Sequence, residues 1–77
     1  MSFKLLDVVV IARDLPEHGL REGDLGTIVE LYEDEGVEVE VLDGQGDTIA
    51  VVSLPVGDVR AMRATDVPSV RPLRESA

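Results

Sequence analysis

No stretch of the chain constrains the fold as tightly as residues 37–41, which read Val-Glu-Val-Glu-Val. A β-strand turns successive side chains to opposite faces, so this alternation sets Val37, Val39 and Val41 on a core and leaves Glu38 and Glu40 in water. The segment is therefore one strand of a half-solvated sheet. Turn chemistry brackets it: Glu33-Asp34-Glu35-Gly36 reads as a hairpin tip before it, and Asp43-Gly44-Gln45-Gly46-Asp47 as a glycine-rich turn after it.

Other strands follow from β-branched runs bounded by breakers. Asp7 to Ala12 (Asp-Val-Val-Val-Ile-Ala) reads as a strand with apolar residues on both faces. A loop of Asp14 to Asp24 follows, carrying Pro16, Gly19 and Gly23, and is long for a small barrel. Leu25 to Tyr32 is the next strand, where Gly26 marks a bend or the close approach of another backbone. Thr48 to Leu54 is a fourth strand with almost no polar face. Leu54 to Asp58, with Pro55 and Gly57, suits a single 3-10 turn, and Val59 to Arg63 is a short last strand. Five short strands, a long first connection, two tight hairpins and a turn before the last strand predict an all-β, five-stranded SH3-like barrel over residues 1–63. Residues 64–77, interrupted by Pro68 and Pro72, read as an extended tail, expected to be disordered in solution or, as the alternative, to pack Val67, Val70 and Leu73 on a neighbour.

At 77 residues the chain has room for one core and no second domain. Chains this small often need a staple, and here there is no cysteine for a disulfide and no His/Cys cluster for a structural zinc. Association is then the remaining common source of stability. No apolar stretch reaches the roughly 18 residues of a membrane span, and no export signal is visible, so the expected location is cytoplasmic, with no membrane partner.

Sixteen acidic residues against seven basic ones give a net charge of −9. Glu30, Glu33, Asp34, Glu35, Glu38, Glu40, Asp43 and Asp47 fall in a stretch without Lys or Arg, while Arg60, Arg63, Arg71 and Arg74 lie near the other end. Phosphate recognition needs several Lys and Arg, and this acidic hairpin repels phosphate over about a Debye length of 8 Å. Phe3 and Tyr32 are the only aromatic residues available for stacking bases, so nucleic acid is not the expected partner.

Reactive chemistry has little to stand on. His18 is the only histidine, no serine lies in a Gly-x-Ser-x-Gly setting, and no glycine-rich segment precedes a Lys-Ser or Lys-Thr pair. The run beginning at Asp43 fails the EF-hand pattern, because Thr48 and Leu54 stand where Gly and Glu are required. No enzyme, no metal and no cofactor are expected.

Two resemblances attach to particular residues. Arg21 to Tyr32 resembles the KOW motif of ribosomal proteins and elongation factors, with Gly23, Gly26 and Ile28 in the matching positions. That motif implies a strand of an SH3-like barrel and raises nucleic-acid binding as an alternative. Over Lys4 to Met62 the chain looks similar to a family of short, mostly acidic bacterial proteins known only as a domain of unknown function. Asp7-Val8-Val9-Val10, Asp14-Leu15-Pro16-Glu17-His18-Gly19-Leu20, Gly23 to Val29 and Leu54-Pro55 carry that likeness. It implies the barrel and no catalytic residues.

The resulting expectation is a non-catalytic protein-interaction module that self-associates and presents an acidic face. Apolar residues in excess of one small barrel's interior point to Val9, Ile11, Ile49 and Val51 as contact residues. An acidic inhibitor or antitoxin-like partner of a neighbour-encoded protein is the alternative, with Glu33, Glu35 and Glu38 meeting a basic site.

Overall fold

The computed structural model describes residues 3–73, so the expectations for residues 1–2 and 74–77 lie outside it. Its strands are β1 (Val8–Ile11), β2 (Leu25–Leu31), β3 (Gly36–Leu42), β4 (Thr48–Pro55) and β5 (Val59–Ala61). They form one antiparallel sheet in the order β4-β3-β2-β1-β5, and a 3-10 turn at Val56–Asp58 feeds β5. The fold is all-β in the order of an SH3-like barrel. The sheet does not close by hydrogen bonds, however: β4 and β5 are its two edges.

All five strands turn residues into one core, which requires the sheet to curl around it. Val9 and Ile11 come from β1, Ile28 from β2, Val37, Val39 and Val41 from β3, Val52 and Leu54 from β4, and Val59 from β5. Two bulges supply curvature, since an extra residue bends the strand that carries it. One places Val29 between the pairs Ile28↔Val39 and Glu30↔Glu38; the other places Ile49 between Ala50↔Val41 and Thr48↔Leu42.

The long first connection closes one end of the core. Leu15 and Leu20 are buried and bridge each other across a 3-10 turn at Pro16–His18, and Gly19 (φ 69) supplies the left-handed residue that reverses the chain. Gly26 has the close neighbours its position in β2 suggests. A Cβ there would overlap Val39 Cγ1 and lie 3.2 Å from the Glu40 carbonyl oxygen.

The ends of the sheet are held by charged pairs. Buried Asp58 accepts Arg13 Nε at 2.8 Å and Nη2 at 3.0 Å, and its carbonyl accepts the Ala12 N–H at 2.8 Å. This ties the end of β1 to the turn before β5, and the Asp58 carboxylate holds the Arg13 guanidinium above its ordinary value.

Candidate interaction surface

The outer face is organised in rows set by the strand registers. Arg60 lies beside Val10, and Val10 beside Leu25. Extending the β2–β3 register by two residues beyond Thr27↔Glu40 puts Leu25 beside Leu42, which adjoins the Ile49 bulge. A largely apolar row thus crosses the sheet, with Arg60 at its β5 end and Thr48 next to Ile49 at its β4 end. A second row sets Val8 beside Thr27, Thr27 beside Glu40, and Glu40 beside Val51.

The chain beyond β5 runs back over the first row. Arg60 Nη1 donates to Asp66 Oδ2 at 2.8 Å, and Arg63 N–H donates to the same carboxylate at 2.7 Å. Further on, Arg71 Nε and Nη2 clamp Asp24 at 2.9 and 2.7 Å, and Nη2 also reaches the Gly19 carbonyl at 3.1 Å. Hydrogen bonds from Arg60 and Arg63 hold the Asp66 carboxyl down at about 2. Partial burial pushes the Asp24 carboxyl up, but Arg71 and the Arg21 N–H outweigh it, so it too lies below its ordinary value. These anchors bracket Val10, which is only 3% exposed although it points to the outer face.

This placement corrects two expected contact residues. Val9 and Ile11 are fully buried inner-face residues and cannot touch a partner; the outward positions of β1 are Val8 and Val10. A run of four β-branched residues carries no phase of its own, and pairing of Val9 with Gly26 and Ala61 sets it. The expected apolar excess on β1 is also halved, because Val10 is covered and only Val8 remains exposed.

On β4 the expected residues do face out. Ala50, Val52 and Leu54 turn inward while Ile49 (39%) and Val51 (51%) are exposed, with exposed Leu42 beside them. The edge of this strand is also open. The Val56 N–H donates to the Glu35 carbonyl at 2.8 Å, which sets the phase of the β3–β4 ladder. Leu54, Val52 and Ala50 therefore aim their N–H and C=O groups at β3, and Ser53 and Val51 aim theirs away from it. Pro55 shares the outward phase, so its missing N–H costs the ladder nothing. Not one of the eight residues of β4 is charged.

The acidic hairpin is ordered by its own hydrogen bonds. Tyr32 Oη donates to Glu38 Oε1 at 2.6 Å, which raises the phenol above its ordinary value, and Thr48 Oγ1 donates to Glu40 Oε2 at 2.6 Å. Glu33 and Glu35 are exposed at the tip, and Glu38 is half-buried on the outer face. Glu35 (φ 65) occupies the left-handed position of a three-residue hairpin loop, a place that favours glycine. The Asp43–Asp47 turn is built by Asp43, whose Oδ1 accepts the N–H groups of Gln45 and Asp47, both at 2.9 Å. His18 is exposed.

Sequence reasoning missed Leu15, Leu20 and the tail anchors Asp24 and Arg71. The Pro and Gly around the leucines signal turns and hide their burial, and residues 47 apart leave no local trace of a contact. Among the described residues, no three His, Cys, Asp or Glu side chains cluster as a metal site, and no helix is long and apolar enough to cross a membrane.

Comparison with known proteins found no match among curated proteins or solved structures. A family model does match, described as a domain of unknown function (DUF4926), over residues 5–61, which take in all five strands and stop where β5 ends. The chain belongs to that family of domains of unknown function.

Proposed function

We propose that this protein is a non-catalytic interaction module that self-associates along β4 while keeping an acidic face toward solvent. One observation carries the reading: an eight-residue edge strand without a charge, with Ile49 and Val51 exposed, in a molecule of net charge −9. Edge strands that must stay single are ordinarily blunted by Lys, Pro or short length. Here Pro55 closes only the far end, whereas the opposite edge, β5, is three residues long. Two copies approaching edge to edge at β4 bring together strands that carry no charge of their own, with Glu38 and Glu40 one strand further in, so long-range repulsion opposes them least there. Cytoplasmic residence belongs to the same proposal and is supported by a chain with no cysteine.

Light scattering coupled to size exclusion tests it, from about 10 μM to about 1 mM at physiological salt, a range that brackets micromolar to millimolar dissociation constants. The mass is expected to rise from 8.3 kDa toward twice that value. Val51→Lys is expected to hold the protein monomeric, with a melting temperature equal to that of wild type at protein concentrations low enough that both are monomers. A wild-type monomer throughout the range refutes the reading.

A second reading rests on the hairpin tip. Glu35 keeps a carboxylate where glycine would relax the backbone, which supports an acidic surface retained for a basic protein. Charge reversal of Glu33, Glu35 and Glu38 should then abolish binding to that protein. Nucleic acid is the poorer candidate, since Arg13, Arg60 and Arg71 are already engaged by Asp58, Asp66 and Asp24.

A further inference from the structure

The tail is held to the domain in an unusual way. Its attachments are ion pairs, and its apolar side chains point out: Val67, Val70 and Leu73 are all exposed, Val70 at 98%. A segment docked to bury its own hydrophobic residues would show the reverse pattern. Val70 and Leu73 border a groove with Leu25, Leu42 and Ile49 on its other side. The tail therefore extends the exposed apolar surface of β4 across the outer face.

Building on the self-association reading, we infer that residues 66–73 form the second half of the dimer surface, with Arg71 as the positioning residue that holds Val70 and Leu73 toward a second copy. The grip is bidentate on Asp24, and Asp24 directly precedes Leu25 in β2, so the tail is registered to the strand that contributes the groove wall. Charge selects the occupant. Arg71, which borders the groove, is paired with Asp24, so the one other charge among its lining residues is Asp43, whose carboxylate is turned to the Gln45 and Asp47 N–H groups, and a basic partner finds far stronger attraction at the hairpin between Glu30 and Asp47. A second copy brings the same apolar strip and matches it as a self-complementary surface. Apolar area on β4 alone is small, and adding two tail residues per copy enlarges the contact without adding charge.

Sedimentation equilibrium on the full chain distinguishes the possibilities, using wild type, Arg71→Ala and the double variant V70S/L73S. Both substituted tail residues are largely exposed, so at low protein concentration, where both are monomers, the double variant should melt with wild type and its change in mass should report on association alone. Each variant is expected to raise the dimer dissociation constant by at least about tenfold, the size of a contact residue's contribution. A wild-type dimer whose dissociation constant is unmoved by V70S/L73S overturns the tail's part and leaves β4 standing. A wild-type monomer at about 1 mM, the weak end of specific association, overturns both readings. A dimer weakened by V70S/L73S but not by Arg71→Ala removes the positioning role of Arg71.

Discussion

Replacing Gly26 with alanine should destabilise the domain, although alanine is ordinarily the better residue. Gly26 is buried in β2, opposite Val9 of β1. The new methyl would overlap Val39 Cγ1 and press on the Glu40 carbonyl oxygen 3.2 Å away; Val41 Cγ2, at 3.7 Å, is an ordinary contact. The oxygen is backbone, and Val39 is fully buried and stiff at χ1, so neither yields freely. Overpacking by one such group costs about 1–3 kcal/mol, against roughly 0.5–1 kcal/mol gained by restricting the unfolded chain. The net loss of about 1–2 kcal/mol corresponds to a fall in melting temperature of roughly 5–15 °C for a domain this small. Circular dichroism melts at one low protein concentration measure it, because association would shift the midpoint by mass action. The cause is isolated by a cycle with Val39→Ala, which removes the clashing methyl. In that background Gly26→Ala should cost distinctly less, with only the approach to the Glu40 carbonyl oxygen remaining, a coupling of about 1 kcal/mol or more, whereas coupling to Val41→Ala should be small. A Gly26→Ala protein that melts at or above wild type, or that shows equal penalties in both backgrounds, refutes the reasoning.

Glu35→Gly relieves a left-handed backbone at an exposed tip and should stabilise by about 0.5–1 kcal/mol, read as a higher urea midpoint; no gain would mean that the loop holds no strain there. Acid should release the tail. Asp66 and Asp24 titrate lower when paired than when free, so their anchoring is complete above about pH 4, the ordinary aspartate range, and weakens as pH falls toward about 2. Methyl chemical shifts of Val67 and Val70 should move across that window, and shifts that stay flat would count against the ion-pair anchors. Leu15→Ala should cost about 2–4 kcal/mol, as much as a strand residue, because the side chain is fully buried despite lying in a loop; a loss below about 1 kcal/mol would place it outside the core.

Residues 37–41 were legible because alternation states the face of every side chain, and the structure keeps Val37, Val39 and Val41 inside as the pattern requires. The same logic fails for Val8 to Ile11 and for Ile49 to Val52, where every residue is apolar and the sequence has no phase. Phase there comes from long-range pairing, which put Val9 and Ile11 inside and Val51 outside. Gly26 was legible as a close approach, since a glycine weakens the strand that carries it and persists there where a neighbour needs the space of a side chain. The candidate surface was visible in part: Ile49 and Val51 by composition, and Val67, Val70 and Leu73 only as one of two readings of the tail, with the Asp24–Arg71 anchor that holds it missed.

That missed anchor changes what the charge distribution means. Composition alone divides the chain into an acidic middle and a basic end, as though the two were separate surfaces with separate partners. Folding engages Arg60 and Arg71 of the basic end internally, with Asp66 beyond β5 and with Asp24 before β2. Their effect is to pin the tail at Arg60, beside Val10, and at Asp24, beside Leu25, so that it reaches the groove with Leu42 and Ile49. The carboxylates are concentrated on the hairpin from Glu30 to Asp47, while β4 carries no charge of its own. A molecule so arranged is repelled by its own copies in most orientations and least where it is apolar, so the same carboxylates that keep it soluble also restrict the geometry in which it can associate.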